Sequence, residues 1–398
     1  MRKKKLETDI HLMNLLARET IILLRDDINR FMLDLANDEL TRLNDIPARV
    51  LELADGTRSA DEILKTILPE FGQKNLEKAR RWLEKAIENG MLILSEAAEP
   101  AAERTGTELD AIAARLRSED KVRMAWLLQK RATELAPEEP MHWYRLGELA
   151  HMMGRRDETR AAYEEYFRHH PEDPETAHIL TALRNEPAPA RASDEFIHYV
   201  YRRFASYYEE TMCVDLHFAA PDHLFDAIKK ELDGKSVASA ADLCCGTGLF
   251  GMRLRNIAQK MIGVDLSTDM LEIARGRNIY DELVQAEITQ WLAREPAELF
   301  DLITFCDALI YFGDLQPVLA GCMKHIKPGG LLAFTLEKSE TPPFKLSDSG
   351  RYQHQKNYVR DLARQTGFEV IQRSEKVLRM EYGMEVVGLV MVLKKPVV

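Results

Sequence analysis

At 398 residues the chain exceeds one ordinary hydrophobic core and requires two or three domains. With 45% hydrophobic and 30% charged residues it has the composition of a soluble globular protein, and no run of 18 uncharged apolar residues is present to span a membrane. A net charge of −11 argues against a surface that coats nucleic acid.

The basic start, Met1–Lys5, runs into polar residues and lacks the apolar core of a signal peptide. Cys213, Cys244, Cys245, Cys306 and Cys322 are odd in number and lack metal-site spacing. They read as reduced thiols of a cytoplasmic protein, with no metal site. The sequence leaves the oligomeric state open.

Residues 19–43 hold short apolar runs broken by Asp26, Asp27, Asn37 and Asp38, the pattern of a small antiparallel meander. Helical periodicity follows. Asn44 or Asp45 starts a helix carrying Ile46, Val50, Leu51 and Leu53 and ending near Gly56. Ser59 and Glu62 have the spacing of a capping box for a second helix with Ile63, Ile67 and Leu68 on one face. A third carries Leu76, Ala79, Leu83, Ala86 and Ile87 and stops at Gly90, before the strand-like Met91–Leu94. Together these elements read as a winged-helix-like α+β domain over 1–98. A DNA-binding version would present Lys78, Arg80, Arg81 and Lys85, but Glu77, Glu84 and Glu88 interleave them as on a solvated face.

Leu43–Ala48, Val50–Arg58 and Glu62–Ile63 together resemble the PqqD family, most specifically at Asp55–Arg58, with one extra residue before Ala48. The resemblance implies a leader-peptide-binding domain. The leader of a ribosomally made precursor peptide would add as a strand beside residues 38–43 and pack on the third helix. Backbone hydrogen bonds would then give affinity and side-chain pockets specificity. A docking domain without peptide binding is the plainer alternative.

Glu96–Gly106 has linker composition. Over Met141–Pro174 the positions of Trp143, Leu146, Gly147, His151, Ala162, Tyr163, Phe167 and Pro174 resemble a tetratricopeptide repeat. Residues 107–140 read as a degenerate first repeat around Leu116 and Trp126–Leu128, and Thr176–Leu183 as a capping helix. This α-helical segment, 107–186, serves either as a peptide-binding surface or as a spacer. A second linker, Asn185–Arg191, follows.

From residue 193 to 398 helical and strand-like patterns alternate. Strands are expected near 237–243, 261–265, 283–286, 300–305, 330–336 and 386–394, and helices near 194–210, 223–232, 249–257, 268–276, 315–325 and 355–366. That is a doubly wound α/β domain with a mostly parallel sheet and an antiparallel last strand. Val237–Leu243 ends in an acid and opens a turn with Gly246 and Gly248, and Met261–Val264 leads to a second acid, Asp265. Two strand ends, each with an acid, form a nucleotide-type pocket at the carboxyl edge of the sheet.

Asp242–Gly248 with Gly263–Ser267, Gln285–Glu287, Phe300–Thr304 and Ile326–Leu331 resembles the class I S-adenosylmethionine-dependent methyltransferases. Phe204–Glu209, Ala220–Pro221, Gly350–His354, Tyr358–Val359, Gly367–Phe368 and Leu378–Arg379 resemble the tetratricopeptide-linked members of that class. The fold this implies is a Rossmann-like methyltransferase domain, and the cofactor S-adenosyl-L-methionine. Asp265 would accept the ribose hydroxyls, since a carboxylate can take two O–H donors. Gly246 and Gly248 would let the loop backbone approach the methionine part, and Asp242 would hold the loop or the methionine ammonium. Leu266 and Met270 would pack near the adenine, Ala286 and Glu287 would read its edge, and Tyr208 would close over the cofactor. Cys244 stands where the family has glycine, and a side chain there would crowd the bound methionine or force the cofactor outward. Asp307 falls near the methyl site. Tyr352 and His354 are the candidates for substrate contact or base, with His217 weaker, and residues 340–353, beginning at Thr341–Pro343, would cover the substrate. The combined expectation is a methyltransferase acting on a precursor peptide held by its leader. The alternatives are a methyltransferase acting on a small molecule or protein side chain and a non-catalytic cofactor-binding scaffold.

Overall fold

The computed structural model of the chain describes residues 13–95 and 104–397. Met1–Lys5 and most of the first linker lie outside them. The chain divides into two compact units, Met1–His169 and His170–Val398.

In the first unit, β1 (Asn14–Ala17) precedes the meander β2 (Ile21–Arg25), β3 (Arg30–Asp34) and β4 (Glu39–Leu43). Then come α1 (Asp45–Leu53), β5 (Asp55–Ser59), α2 (Ala60–Phe71), α3 (Gln73–Glu88) and β6 (Leu92–Ser95). The Ser59–Glu62 capping box forms as the spacing requires: Ser59 Oγ accepts from the Glu62 amide, and Glu62 accepts from the Ser59 amide at 2.8 Å. The periodicity does not reveal β1 and β5, which pair with each other while β1 also pairs β6 in a second small sheet. Asp55–Arg58, the most specific part of the PqqD resemblance, forms most of β5.

Alternation sends the meander's side chains to two different cores. Leu15 and Met32 pack with Val50, Ile63, Ile67 and Leu83 of the small helices. Ile22, Leu24, Phe31 and Leu33 pack with Leu116, Trp126, Leu128 and Leu149 of the antiparallel helices α4 (Gly106–Ser118), α5 (Val122–Leu135), α6 (Pro140–Met152) and α7 (Arg156–His169). The helical segment therefore shares a core with the meander.

Strand order β2-β3-β4 leaves β4 at an edge. The Leu35 amide donates to Thr20 O and the Asp26 amide to Asn29 O, which fixes the alternation of the β2–β3 ladder. Carried through the β3–β4 register, Glu39, Thr41 and Leu43 face β3, and the backbone groups of Leu40 and Arg42 face the open edge.

The second unit opens with α8 (Pro174–Leu183), expected as a cap on the repeats but grouped here with the α/β domain: His178 Nε2 lies 2.9 Å from Gly350 O, and its ring packs on Phe196. Next are α9 (Asp194–Phe204), short 3-10, α and π turns over 205–215, α10 (Ala220–Leu232), β7 (Val237–Leu243), α11 (Gly251–Leu254), β8 (Ala258–Asp265), α12 (Thr268–Gly276), β9 (Glu282–Gln285) and α13 (Ile288–Ala293). The chain continues through β10 (Phe300–Phe305), α14 (Gln316–His325), β11 (Ile326–Ser339), β12 (Phe344–Leu346), β13 (Tyr352–Gln355), α15 (Lys356–Gln365), β14 (Glu369–Glu381) and β15 (Met384–Lys394).

The sheet runs β12-β13-β11-β10-β7-β8-β9. The ladders from β13 through β11, β10, β7 and β8 to β9 are parallel, and β15 pairs β11 and β14 antiparallel. Leu243, Val264, Ile303, Phe305, Leu332 and Phe334 fill one face and Leu224, Met261, Leu302 and Ala333 the other, as a sheet covered on both sides demands. Three expectations change. The helix expected over 249–257 is the single turn α11. The stretch 340–353, expected as a substrate cover, instead holds β12, which pairs with 352–354 of β13 as an antiparallel ladder. Residues 369–381, given no element from sequence, form a long strand. Among the described residues no helix is long and apolar enough to cross a membrane.

Candidate active site

The carboxyl ends of β7, β8, β9 and β10 surround one cavity. Its wall includes Tyr208, Asp242, Cys244, Gly246, Asp265, Leu266, Met270, Ala286, Glu287 and Asp307 from the sequence candidates. Three alternate residues of the turn after β7 explain its shape: Cys244, Gly246 and Gly248 adopt left-handed φ of 56°, 54° and 82°. A Cβ added at Gly246 would meet nothing within 4 Å, so this part of the loop faces open space. Gly248 is not on the cavity wall but is needed for the turn.

Both acids at the strand ends are anchored, Asp242 fully buried and Asp265 half-buried. Asp242 accepts from Tyr280 Oη at 2.7 Å and Thr304 Oγ1 at 3.0 Å. Burial pushes its carboxyl up to about 6, against the pull of those two donors. These bonds tie the end of β7 to Tyr280 and to β10. Gly251 admits the Tyr280 ring, since a Cβ there would overlap the phenol oxygen. Asp265 accepts from the Gly246 and Ser267 amides, each at 2.8 Å. One lone pair on each oxygen is left, the capacity two ribose hydroxyls need. Burial raises its pKa, and the amides oppose the rise.

Ala286 donates its amide to Asp265 O at 3.0 Å. Glu287 caps α13 by accepting from the Thr289 and Gln290 amides. Met270 is 1% exposed and Leu266 half-buried on the same wall. These apolar groups, with Phe250 and Ile288, line the same cavity as Asp265 and Glu287. The residue set thus fits S-adenosylmethionine: a carboxylate able to accept further hydroxyls, an open glycine turn and an apolar lining.

At the β10 end, Asp307 has a left-handed φ of 53° and its amide donates to Thr335 Oγ1 at 2.8 Å. Arg379, 1% exposed, bonds Asp307 at 3.0 Å and also holds Glu337 and Glu381, while Arg351 holds Glu381. Burial raises the Asp307 pKa, with Arg379 and Arg351 pulling it back. Facing Asp307 are Tyr201, Tyr208 and Tyr311, also on the wall, with the Tyr201 and Tyr311 hydroxyls 2.9 Å apart.

Tyr352 and His354 do not line this cavity. Both are fully buried: Tyr352 Oη donates to Pro189 O at 2.9 Å, and His354 Nε2 lies 3.0 Å from Gly313 O. Burial lowers the His354 pKa to about 4. Tyr352 Oη and His354 Nε2 tie β13 to neighbouring backbone, away from the cavity wall on which a base was expected. His217 is on an exposed turn with a left-handed φ of 50°. Sequence reasoning missed Tyr201, Tyr311, Tyr280, Glu337 and Glu381. It also placed Arg191 in a linker, whereas it reaches the cavity wall and bonds Asp194 at 2.7 Å. Thr304 and Leu378–Arg379 carried a signal only as parts of the family resemblance.

Residues 240–330 match the family described as a methyltransferase domain. The chain is similar to the malonyl-[acyl-carrier protein] O-methyltransferase of Salmonella typhimurium, 32% identical over 146 residues, which are 37% of this chain and 55% of that protein. It is also similar to the ubiquinone biosynthesis O-methyltransferase of Thiobacillus denitrificans, 34% identical over 110 residues, 26% of this chain and 45% of that protein. A solved N-methyltransferase from Bradyrhizobium japonicum, in complex with S-adenosyl-L-homocysteine, is 18% identical at a TM-score of 0.36, over 44% of this chain and 86% of that one. The chain spans about half the length of these curated relatives, and its glycine turn and both acidic strand ends lie within residues 240–330, the segment that matches the family model.

Proposed function

We propose that the chain is an S-adenosylmethionine-dependent methyltransferase whose acceptor is a precursor peptide recruited through its leader. The observation that carries the catalytic part is Asp265 on the cavity wall, anchored by two amides and opposite an open glycine turn. The cofactor, when bound, supplies a methyl group activated on a sulfonium. Asp265 would hold the ribose and the Gly246 backbone the methionine part. Tyr208 and Asp307 would line the methyl end, where the protein's work is orientation and exclusion of water.

The leader part is supported by the PqqD-like residues and by β4, whose Leu40 and Arg42 backbone groups face outward. An added strand there makes the acceptor segment effectively intramolecular, so weak contacts at the active site suffice. Arg42→Pro tests this: it removes an outward N–H while the β3–β4 ladder keeps its own hydrogen bonds. Loss of leader binding with retained S-adenosylmethionine binding is the expected result; unchanged leader binding contradicts peptide addition at β4. The second reading is a small-molecule acceptor. It is favoured by the names of the curated relatives, which are methyltransferases of ubiquinone biosynthesis and of a malonyl group on acyl-carrier protein. Turnover without any peptide would support it.

A further inference from the structure

The charge of the Asp307 end of the cavity identifies the kind of acceptor it suits. Arg379 and Arg351 are shared among Asp307, Glu337 and Glu381, so two guanidiniums face three carboxylates and one negative charge is left over. Of these five groups Asp307 is on the cavity wall, and Arg379 stands behind it. The one guanidinium among the wall residues, Arg191, bonds Asp194 and lies 3.8 Å from Glu287, at the opposite strand end. A carboxylate acceptor would therefore meet Asp307 with no unshared side-chain cation on the wall to offset the repulsion.

The other wall of this end is aromatic. Tyr201, Tyr208 and Tyr311 form a continuous group, with Tyr201–Tyr311 edge to face at 5.9 Å and Tyr201–Tyr208 at 6.3 Å between centroids. Ring faces attract cations, most strongly in a desolvated pocket. A surplus carboxylate and three tyrosines on one wall are independent features that select the same charge.

We propose that the acceptor atom is the nitrogen of an amine, held as its ammonium form by Asp307 and the tyrosine wall. This rests on the reading of the cavity as an S-adenosylmethionine site. The ammonium passes one proton to the Asp307 carboxylate. The freed nitrogen lone pair forms the bond to the methyl carbon as the carbon–sulfur bond breaks. The sulfur keeps that electron pair and becomes a neutral thioether, and the nitrogen becomes a methylated ammonium. The Asp307 proton then leaves to water, so one proton is released per transfer. For a peptide acceptor the matching groups are a lysine side chain or a free α-amine.

The test is calorimetric titration of the full chain, saturated with S-adenosylhomocysteine, with n-hexylamine, hexanoate and hexanol at pH 7.5. Hexylamine, present as its ammonium, is expected to bind at least tenfold more tightly than either competitor. Asp307→Asn is expected to cut that preference below threefold. Tyr208→Leu, which leaves the ion network intact, is expected to weaken hexylamine several-fold more than hexanol. Equal or tighter binding of hexanoate or hexanol by the wild type overturns the proposal, as does a preference that survives both substitutions. Failure of S-adenosylhomocysteine itself to bind would instead overturn the cofactor reading, and the amine assignment with it.

Discussion

Tyr280 Oη donates to Asp242 Oδ2 at 2.7 Å, joining the loop before β9 to the end of β7. The bond is made across Gly251, whose missing side chain leaves room for the phenol. Tyr280→Phe keeps the ring and removes the donor, leaving a buried carboxylate oxygen short of one partner. The expected cost is about 1–3 kcal/mol of unfolding free energy, with weaker cofactor binding because the glycine turn loses its anchor. Chemical unfolding checks the first and calorimetry the second.

Cys244 occupies a left-handed backbone position that costs an L-residue about 1–2 kcal/mol. Cys244→Gly relieves that cost, but gives up the packing of a half-buried side chain, about 1 kcal/mol. The two nearly cancel, so the melting temperature should move little. Clearing a side chain from the cavity wall should tighten S-adenosylmethionine binding several-fold. Unchanged or weaker binding would show that Cys244 does not crowd the cofactor.

His354 is neutral when folded at any pH above about 4, whereas its ordinary pKa is 6.5. The unfolded chain therefore takes up the extra proton between those values, and stability is lost as pH falls from about 6.5 to about 4. At pH 5 this group costs about 2 kcal/mol relative to pH 7.5. Asp242 acts oppositely. Its folded pKa of about 6 lies above its ordinary value of 3.8, so the folded state gains relative stability as pH falls through that window. The wild-type pH dependence alone mixes the two. The difference between wild type and His354→Gln in urea, at pH 7.5 and pH 5, isolates the histidine, and the variant should lose less stability on acidification.

Arg379 is buried among Asp307, Glu337 and Glu381. Arg379→Met fills a similar volume and strands these carboxylates without their shared cation. The expected loss is about 3–5 kcal/mol in urea unfolding at pH 7.5. It should shrink at lower pH, where the stranded acids take up protons. A loss independent of pH would mean that packing, rather than charge, is what Arg379 supplies.

The parts of the site legible in the sequence are those made within one strand–turn–helix unit. Asp242, Gly246, Gly248 and Asp265 follow from local pattern, because a parallel strand must end in a turn at the same edge of the sheet as its neighbours. Tyr201 and Tyr311 are 110 positions apart, and Arg379 is 72 from Asp307. No period or spacing links them; only the folded α/β domain brings them together. β14 escaped notice because it is mostly exposed or half-buried and lacks an alternating apolar face. Tyr352 and His354 misled for the opposite reason: polar residues near turn-forming Pro343 and Gly350 resemble an exposed loop, but the β12–β13 ladder buries both side chains.

The most direct test of the account is calorimetric titration of the full chain and of Asp265→Ala with S-adenosylmethionine. The account predicts one site per chain in the wild type. The substitution removes two charge-assisted hydrogen bonds to the ribose, together about 3 kcal/mol, so affinity should fall roughly 100-fold. No binding by the folded wild type, or equal affinity in the variant, would contradict it.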